Sequence, residues 1–258
     1  MQLMKIIIQI VILIAFFGCS ENIKLLEERL EEQARKNGNE ISATEIKKTA
    51  IYLDAWSKED FYQEAIDEFM EQDRVNFPDD INVLFTGSSS IRFWSSLEED
   101  MKPLRVLNRG FGGAHISHVN FHFNDVVRKY DPEAIVFFCG TNDVTALKTP
   151  TETVRDFKVF RDKVRNELPN VHIFVIGIKP SPAREYIEKE EMEYNKLISD
   201  MADADDLLTF IDIWDSMLTK DGKRMPELFI EDGLHINAAG YKIWTKLVRE
   251  KLGSLFNL

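Results

Sequence analysis

The chain has 258 residues, enough for one sizeable domain with an appendage, and 44% of them are hydrophobic, enough for a real core. Its net charge is −12. So acidic a chain repels phosphate backbones, which argues against nucleic acid as a partner, and no basic cluster, low-complexity tract or internal repeat offsets this.

The first residues read as an export signal. Lys5 supplies positive charge, and Ile6 to Phe17 is an apolar run broken only by Gln9. That is the length of a signal peptide and too short to span a bilayer comfortably. It ends in Phe16-Phe17-Gly18-Cys19, which resembles the lipobox of bacterial lipoproteins, although that family prefers Leu and a small residue where Phe16 and Phe17 stand. The resemblance implies that residues 1–18 are removed, that Cys19 is lipidated, and that the protein is exported and held on a bacterial membrane by its N-terminal lipid. Cys139, the other cysteine, then has no disulfide partner and reads as a small buried apolar residue.

Residues 19–41 read as a tether, rich in Glu and Lys and helical in the first half. Residues 42–77 read as a helical extension packed on the main domain. Ser42-Ala43-Thr44-Glu45 is a capping box that opens one helix, and Ser57 to Asp60 opens a second with Phe61, Ala65, Ile66, Phe69 and Met70 on one face. From residue 78 to 258 the pattern alternates. Strand-like runs fall at Ile81–Phe85, Leu104–Leu107, Ala134–Cys139, Val171–Ile176 and Leu207–Ile213, with helical segments near 91–101, 115–129, 151–167, 184–204 and 238–252. Continuous apolar strands alternating with helices predict an α/β fold, a three-layer α/β/α sandwich with a five-stranded parallel sheet. Its site belongs at the carboxyl ends of the strands.

That edge receives Gly87-Ser88-Ser89-Ser90, then Asn108 to His115, then Gly140-Thr141-Asn142-Asp143, then Lys179 to Arg184, and finally Glu231 to Tyr241. A phosphate loop, a dinucleotide fingerprint and the G-x-S-x-G nucleophile elbow all fail on spacing. The remaining residues form an acyl-transfer set. A serine needs a base, and the base needs an acid to hold its tautomer. Asp232 and His235, three apart, supply that pair. Gly113, through its backbone N–H, and Asn142, through its amide, are suited to hold an oxyanion.

The blocks GSSS, NRGFGG, GTND and DGLH, in this order and each after a strand, resemble the SGNH (GDSL) hydrolase family from about residue 78 to the end. The resemblance implies a flavodoxin-like fold and a serine esterase that needs no cofactor and no metal. It implies Ser89 as nucleophile, Asp232 and His235 as acid and base, and Gly113, Asn142 and the Ser89 N–H as the oxyanion hole. It implies deacylation of sugars, lipids or small esters; the expected tethered, exported location favours a small ester or an acylated carbohydrate, and no lid-like apolar insertion points to long-chain lipids. The family's Gly-Asp-Ser reads Gly87-Ser88-Ser89 here, so loop geometry and rate are open. Two other readings stand beside hydrolysis: an inactive glycan-binding surface lipoprotein, and an acyltransferase using the same site.

Further residues invite a role. Ser90 reads as a helix cap, and Asn108 as a turn residue. Arg109 reads as a possible brace for the oxyanion loop. His115 is a candidate substrate contact that faces the cleft. Arg184 is either a contact for an anionic substrate group or a partner for the surplus acids. His118 and His122 lie at metal-binding spacing, but no carboxylate or cysteine completes a set. The run Glu185–Glu193 reads as a solvated helix face.

Overall fold

A computed structural model describes residues 21–256 and residue 258, so the signal segment and Cys19 lie outside the described residues. The chain divides into two compact units, Met1–Phe61 and Tyr62–Leu258. In the first, helix α1 covers residues 21–37, so the expected tether is helical through most of its length. Helix α2, Ala43–Trp56, opens with the expected capping box: Ser42 accepts from the Glu45 N–H, and Glu45 accepts from the Ser42 N–H at 3.1 Å. The amide of Asn22 donates to Asp54 and ties α1 to α2. No described helix is long and apolar enough to cross a membrane.

The second unit begins with α3, Gln63–Val75. The sequence reading starts this helix at Ser57 and groups it with the extension. It starts six residues later, after a turn, and its buried Ile66 joins the core of the sheet. The chain then runs β1 (Val83–Gly87), the short helices α4 (Ser89–Arg92) and α5 (Leu97–Asp100), and β2 (Val106–Gly110). Next come α6 (Ile116–Phe121), α7 (Phe123–Val126), β3 (Ala134–Phe138), α8 (Thr141–Thr145) and α9 (Pro150–Glu167). The last elements are β4 (His172–Ile176), α10 (Glu188–Ala202), β5 (Leu208–Ile211) and α11 (Ala238–Leu252).

The five strands are parallel in the order β2-β1-β3-β4-β5. Every residue of β1 and of β3 is buried, as strands covered on both faces must be. One apolar layer holds Leu84, Ile135, Phe137, Ile173 and Val175 with residues of α3, α6, α7, α9 and α10. The other holds Val83, Phe85, Val136, Phe138, Phe174 and Ile176 with residues of α4, α5 and α11. This is the expected three-layer α/β/α sandwich. The strand order reverses at β1, whose neighbours are β2 and β3, and the carboxyl ends of β1 and β3 therefore border the crevice where such sheets bind ligands.

Candidate active site

Ser89 is the first residue of α4, immediately past the end of β1. The turn is tight because Gly87 takes φ 125° and a Cβ there would sit 2.0 Å from the Phe138 carbonyl oxygen. The Ser88 N–H donates to that same carbonyl at 2.9 Å, which fixes the β1 exit against β3. Ser88 is the N-cap residue but makes no side-chain capping bond. Ser90 does not cap either, contrary to the sequence reading. Its hydroxyl accepts from Lys179 Nζ at 3.1 Å and its carbonyl accepts from the Tyr241 hydroxyl at 2.9 Å.

The segment between β5 and α11 reaches across to Ser89. His235 Nε2 lies 2.9 Å from Ser89 Oγ, and His235 Nδ1 lies 2.6 Å from Asp232 Oδ2. The other oxygen of Asp232 accepts the backbone N–H groups of Leu234 (2.8 Å) and His235 (2.9 Å). Partial burial works against the charge on Asp232, but these bonds, from the ring and from the two N–H groups, outweigh it and hold the carboxyl below its ordinary value. Gly233 permits the loop with φ 62° and its carbonyl accepts from the Ala183 N–H at 3.1 Å. Asn237 caps α11 through its side chain, and α11 in turn buries Tyr241 and Trp244 under the site.

The candidate oxyanion groups lie on the segments that follow β2 and β3, the two strands paired with β1. Gly113 has φ 63° in the loop after β2, and Asn142 is the second residue of α8 after β3. Asn142 is buried, and its amide donates one bond to the Ala114 carbonyl at 3.1 Å, which ties the β2 loop to the β3 loop. The amide has a second N–H. The N–H of Ser89, first in its helical turn, has no acceptor within the helix.

Other expectations change. His115 does not face the cleft: it is 0% exposed, and its ring stacks on His118 with centroids 4.9 Å apart. Burial pushes its pKa down to about 4, so it is a neutral core residue and not a substrate contact. Arg109 does not brace the oxyanion loop. It turns away, donating to Asp73 at 2.5 Å and to the Tyr130 hydroxyl at 2.6 Å, and so joins β2 to α3. Asn108 is a strand residue whose side chain donates to the Ile91 carbonyl at 2.6 Å and accepts from the Gly110 N–H at 3.0 Å, binding β2 to α4. Cys139, by contrast, is buried as expected, and burial pushes its thiol pKa up. Arg184 is partly buried and donates to the Tyr186 hydroxyl at 3.0 Å. Among the described residues no group of three or more His, Cys, Asp or Glu side chains could hold a metal.

Two charged residues at the site have no role in the sequence reading, which places Lys179 at the strand edge only and takes Glu191 as solvated. Lys179, after β4, is 1% exposed, and its Nζ lies 5.0 Å from the centre of the Phe138 ring besides donating to Ser90. Burial lowers its pKa to about 8. Glu191, in the run read as solvated, is also 1% exposed and accepts from the Thr141 hydroxyl at 2.6 Å, holding the turn that carries Asn142. Burial raises its pKa to about 7, against the pull of Thr141 and of the charges on Lys179, Arg184 and Arg224. The signal was present: Glu191, Tyr194, Asn195 and Ile198 repeat at helical spacing and form one buried stripe of α10.

Comparison with known proteins bears on the family and the fold. The model of the GDSL-like Lipase/Acylhydrolase family matches residues 85–243. Among solved structures, a candidate platelet activating factor from Streptococcus pneumonia aligns with TM-score 0.67 at 19% identity, over 82% of this chain and 100% of its own. A GDSL-like lipase from Bacteroides thetaiotaomicron aligns with TM-score 0.64 at 18% identity, over 77% and 100%. A family 3 carbohydrate esterase from Clostridium thermocellum aligns with TM-score 0.54 at 18% identity, over 68% and 98%. No curated protein sequence matches the chain. The chain belongs to the GDSL-like lipase/acylhydrolase family and is an ester hydrolase of that type.

Proposed function

We propose that the protein cleaves a short O-acyl ester, an acetyl group on a carbohydrate, through a Ser89–His235–Asp232 triad and an acyl-enzyme. The observation that carries this reading is the unbroken hydrogen-bond chain from Ser89 Oγ through both ring nitrogens of His235 to Asp232. His235 takes the Ser89 proton as the oxygen attacks the ester carbonyl. The oxyanion is held by the N–H groups of Gly113 and Ser89 and by the second N–H of the Asn142 amide. The tetrahedral species collapses, the carbonyl reforms, and the alcohol leaves with the proton from His235. Water, deprotonated by His235, then attacks the acyl-enzyme and releases the acid and Ser89.

Carbohydrate is favoured by the half-exposed Phe93 ring beside His235, a flat surface for a sugar, and by the presence of carbohydrate esterases among proteins of similar fold. Arg184 is a second substrate contact in this reading. Residues 1–18 are a signal peptide, and a lipid on Cys19 holds the enzyme on a bacterial membrane outside the cytoplasm; Cys19→Ser should move it from the membrane fraction to the soluble fraction. For the chemistry, the test is turnover of a short-chain aryl acetate. Ser89→Ala should lower it by about a thousandfold or more with the circular dichroism spectrum unchanged. Undiminished turnover would remove Ser89 from the mechanism.

A further inference from the structure

We propose that Arg92 makes the alcohol side of this site selective for a negatively charged substrate, an acyl ester of a carboxylate-bearing alcohol such as an acidic sugar. The proposal rests on the triad reading above, because that reading decides which side receives the alcohol. His235 returns its proton to the departing oxygen, so the alcohol lies beside the imidazole. The wall there is Phe93, whose ring meets His235 edge-on at 4.9 Å and is 49% exposed. The Arg92 guanidinium carbon lies 5.8 Å from the centre of that ring. On its other flank is the loop that carries Gly113: a Cβ on Gly112 would sit 2.9 Å from Arg92 Nη1. Ser89 and Arg92 are three apart in one helical turn and share a face. The guanidinium is thus held between the leaving-group wall and the oxyanion loop.

Apart from the Phe93 ring, its charge has no partner among the described residues. Arg92 is exposed, and among the described residues no carboxylate lies within ion-pair distance of it. This occurs in a chain where 44 acidic residues outnumber 32 basic ones. The triad loop itself carries Glu231 and Asp232, whose charges repel an anion unless a cation answers them. A guanidinium does so with a planar fork of donors that matches a carboxylate in bidentate geometry. Arg184 is less suited, since its Nη1 is engaged by Tyr186 and its Nε is buried.

The experiment compares kcat/KM of the purified protein for a monoacetylated methyl glucuronoside and for the glucuronamide acetylated at the same position. The expected result is a preference of about tenfold or more for the carboxylate at low salt, shrinking as salt is added. Arg92→Gln should bring the ratio to about one, and Arg92→Lys should keep part of it. A ratio near one in the unaltered protein, or one that survives Arg92→Gln, overturns the proposal. So does a ratio that Arg184→Gln abolishes instead, or a preference shown only for an acetylated glucoside 6-phosphate. Turnover of an aryl acetate with neither sugar cleaved overturns this proposal alone, whereas failure to turn over any ester overturns the triad reading with it.

Discussion

Asp232 binds His235 twice, through the ring and through the backbone, and its two oxygens divide the work. Asp232→Asn keeps an oxygen for the Leu234 and His235 N–H groups, so the loop should survive. Its amide N–H, facing Nδ1, would favour the tautomer that puts the proton on Nε2, where a base is needed. Turnover should fall by about 10²–10⁴ with stability nearly unchanged; an equal fall in stability would make the effect structural. Glu191 predicts the opposite split. Its folded pKa is raised to about 7, so the folded protein binds more protons than the unfolded chain between the ordinary carboxyl value and pH 7. Stability therefore falls as pH rises through that window. Glu191→Gln keeps an acceptor for Thr141 and should remove this fall, gaining on the order of 3 kcal/mol at pH 7.5 relative to pH 4.5 in urea unfolding. A difference between the two proteins that is flat with pH would refute the buried-carboxyl account. At this scale the sequence was informative where chemistry imposes spacing, as at Asp232 and His235. It misled where a polar residue's surroundings come from distant elements, as with His115, Arg109 and Glu191.

The elements were legible in proportion to their length and burial. All five strands were foreseen within about two residues at most ends, and β3 and β4 most closely, because a strand buried on both faces must be a continuous apolar run. The amphipathic α9 and α11 were equally clear. The helix expected over 115–129 is broken into α6, α7 and a short turn at Arg128–Tyr130. The apolar spacing hid the breaks, since Ile116, Val119, Phe123, Val126 and Tyr130 all bury into one core layer. The segment 91–101 is likewise two separate turns, with Trp94 between them donating to Asp100 at 2.6 Å. The β1 exit offers a test of how tightly the elements meet. A methyl group at Gly87 would collide with the backbone of β3, whereas Gly222, also at positive φ (77°), has nothing within 4 Å of a Cβ. Gly87→Ala should cost about 3 kcal/mol or more, and Gly222→Ala about 1 kcal/mol, measured by urea unfolding. Equal costs would mean that the β1–β3 contact can relax.

Over the whole chain, both apolar layers of the sheet draw their residues from Tyr62 to Phe256, within the unit that begins at Tyr62. A chain starting there should unfold in one cooperative step and keep its esterase turnover, since every residue of the candidate site lies within it. Loss of the cooperative transition would show that residues before Tyr62 complete the core. The central claim is that the β1 exit carries an activated serine. Its most direct test is labelling of the folded protein with a fluorophosphonate, followed by peptide mapping. A single stable adduct on Ser89, abolished in Ser89→Ala, is the predicted result. No adduct in a protein shown to be folded, or an adduct on Ser90, would contradict the account.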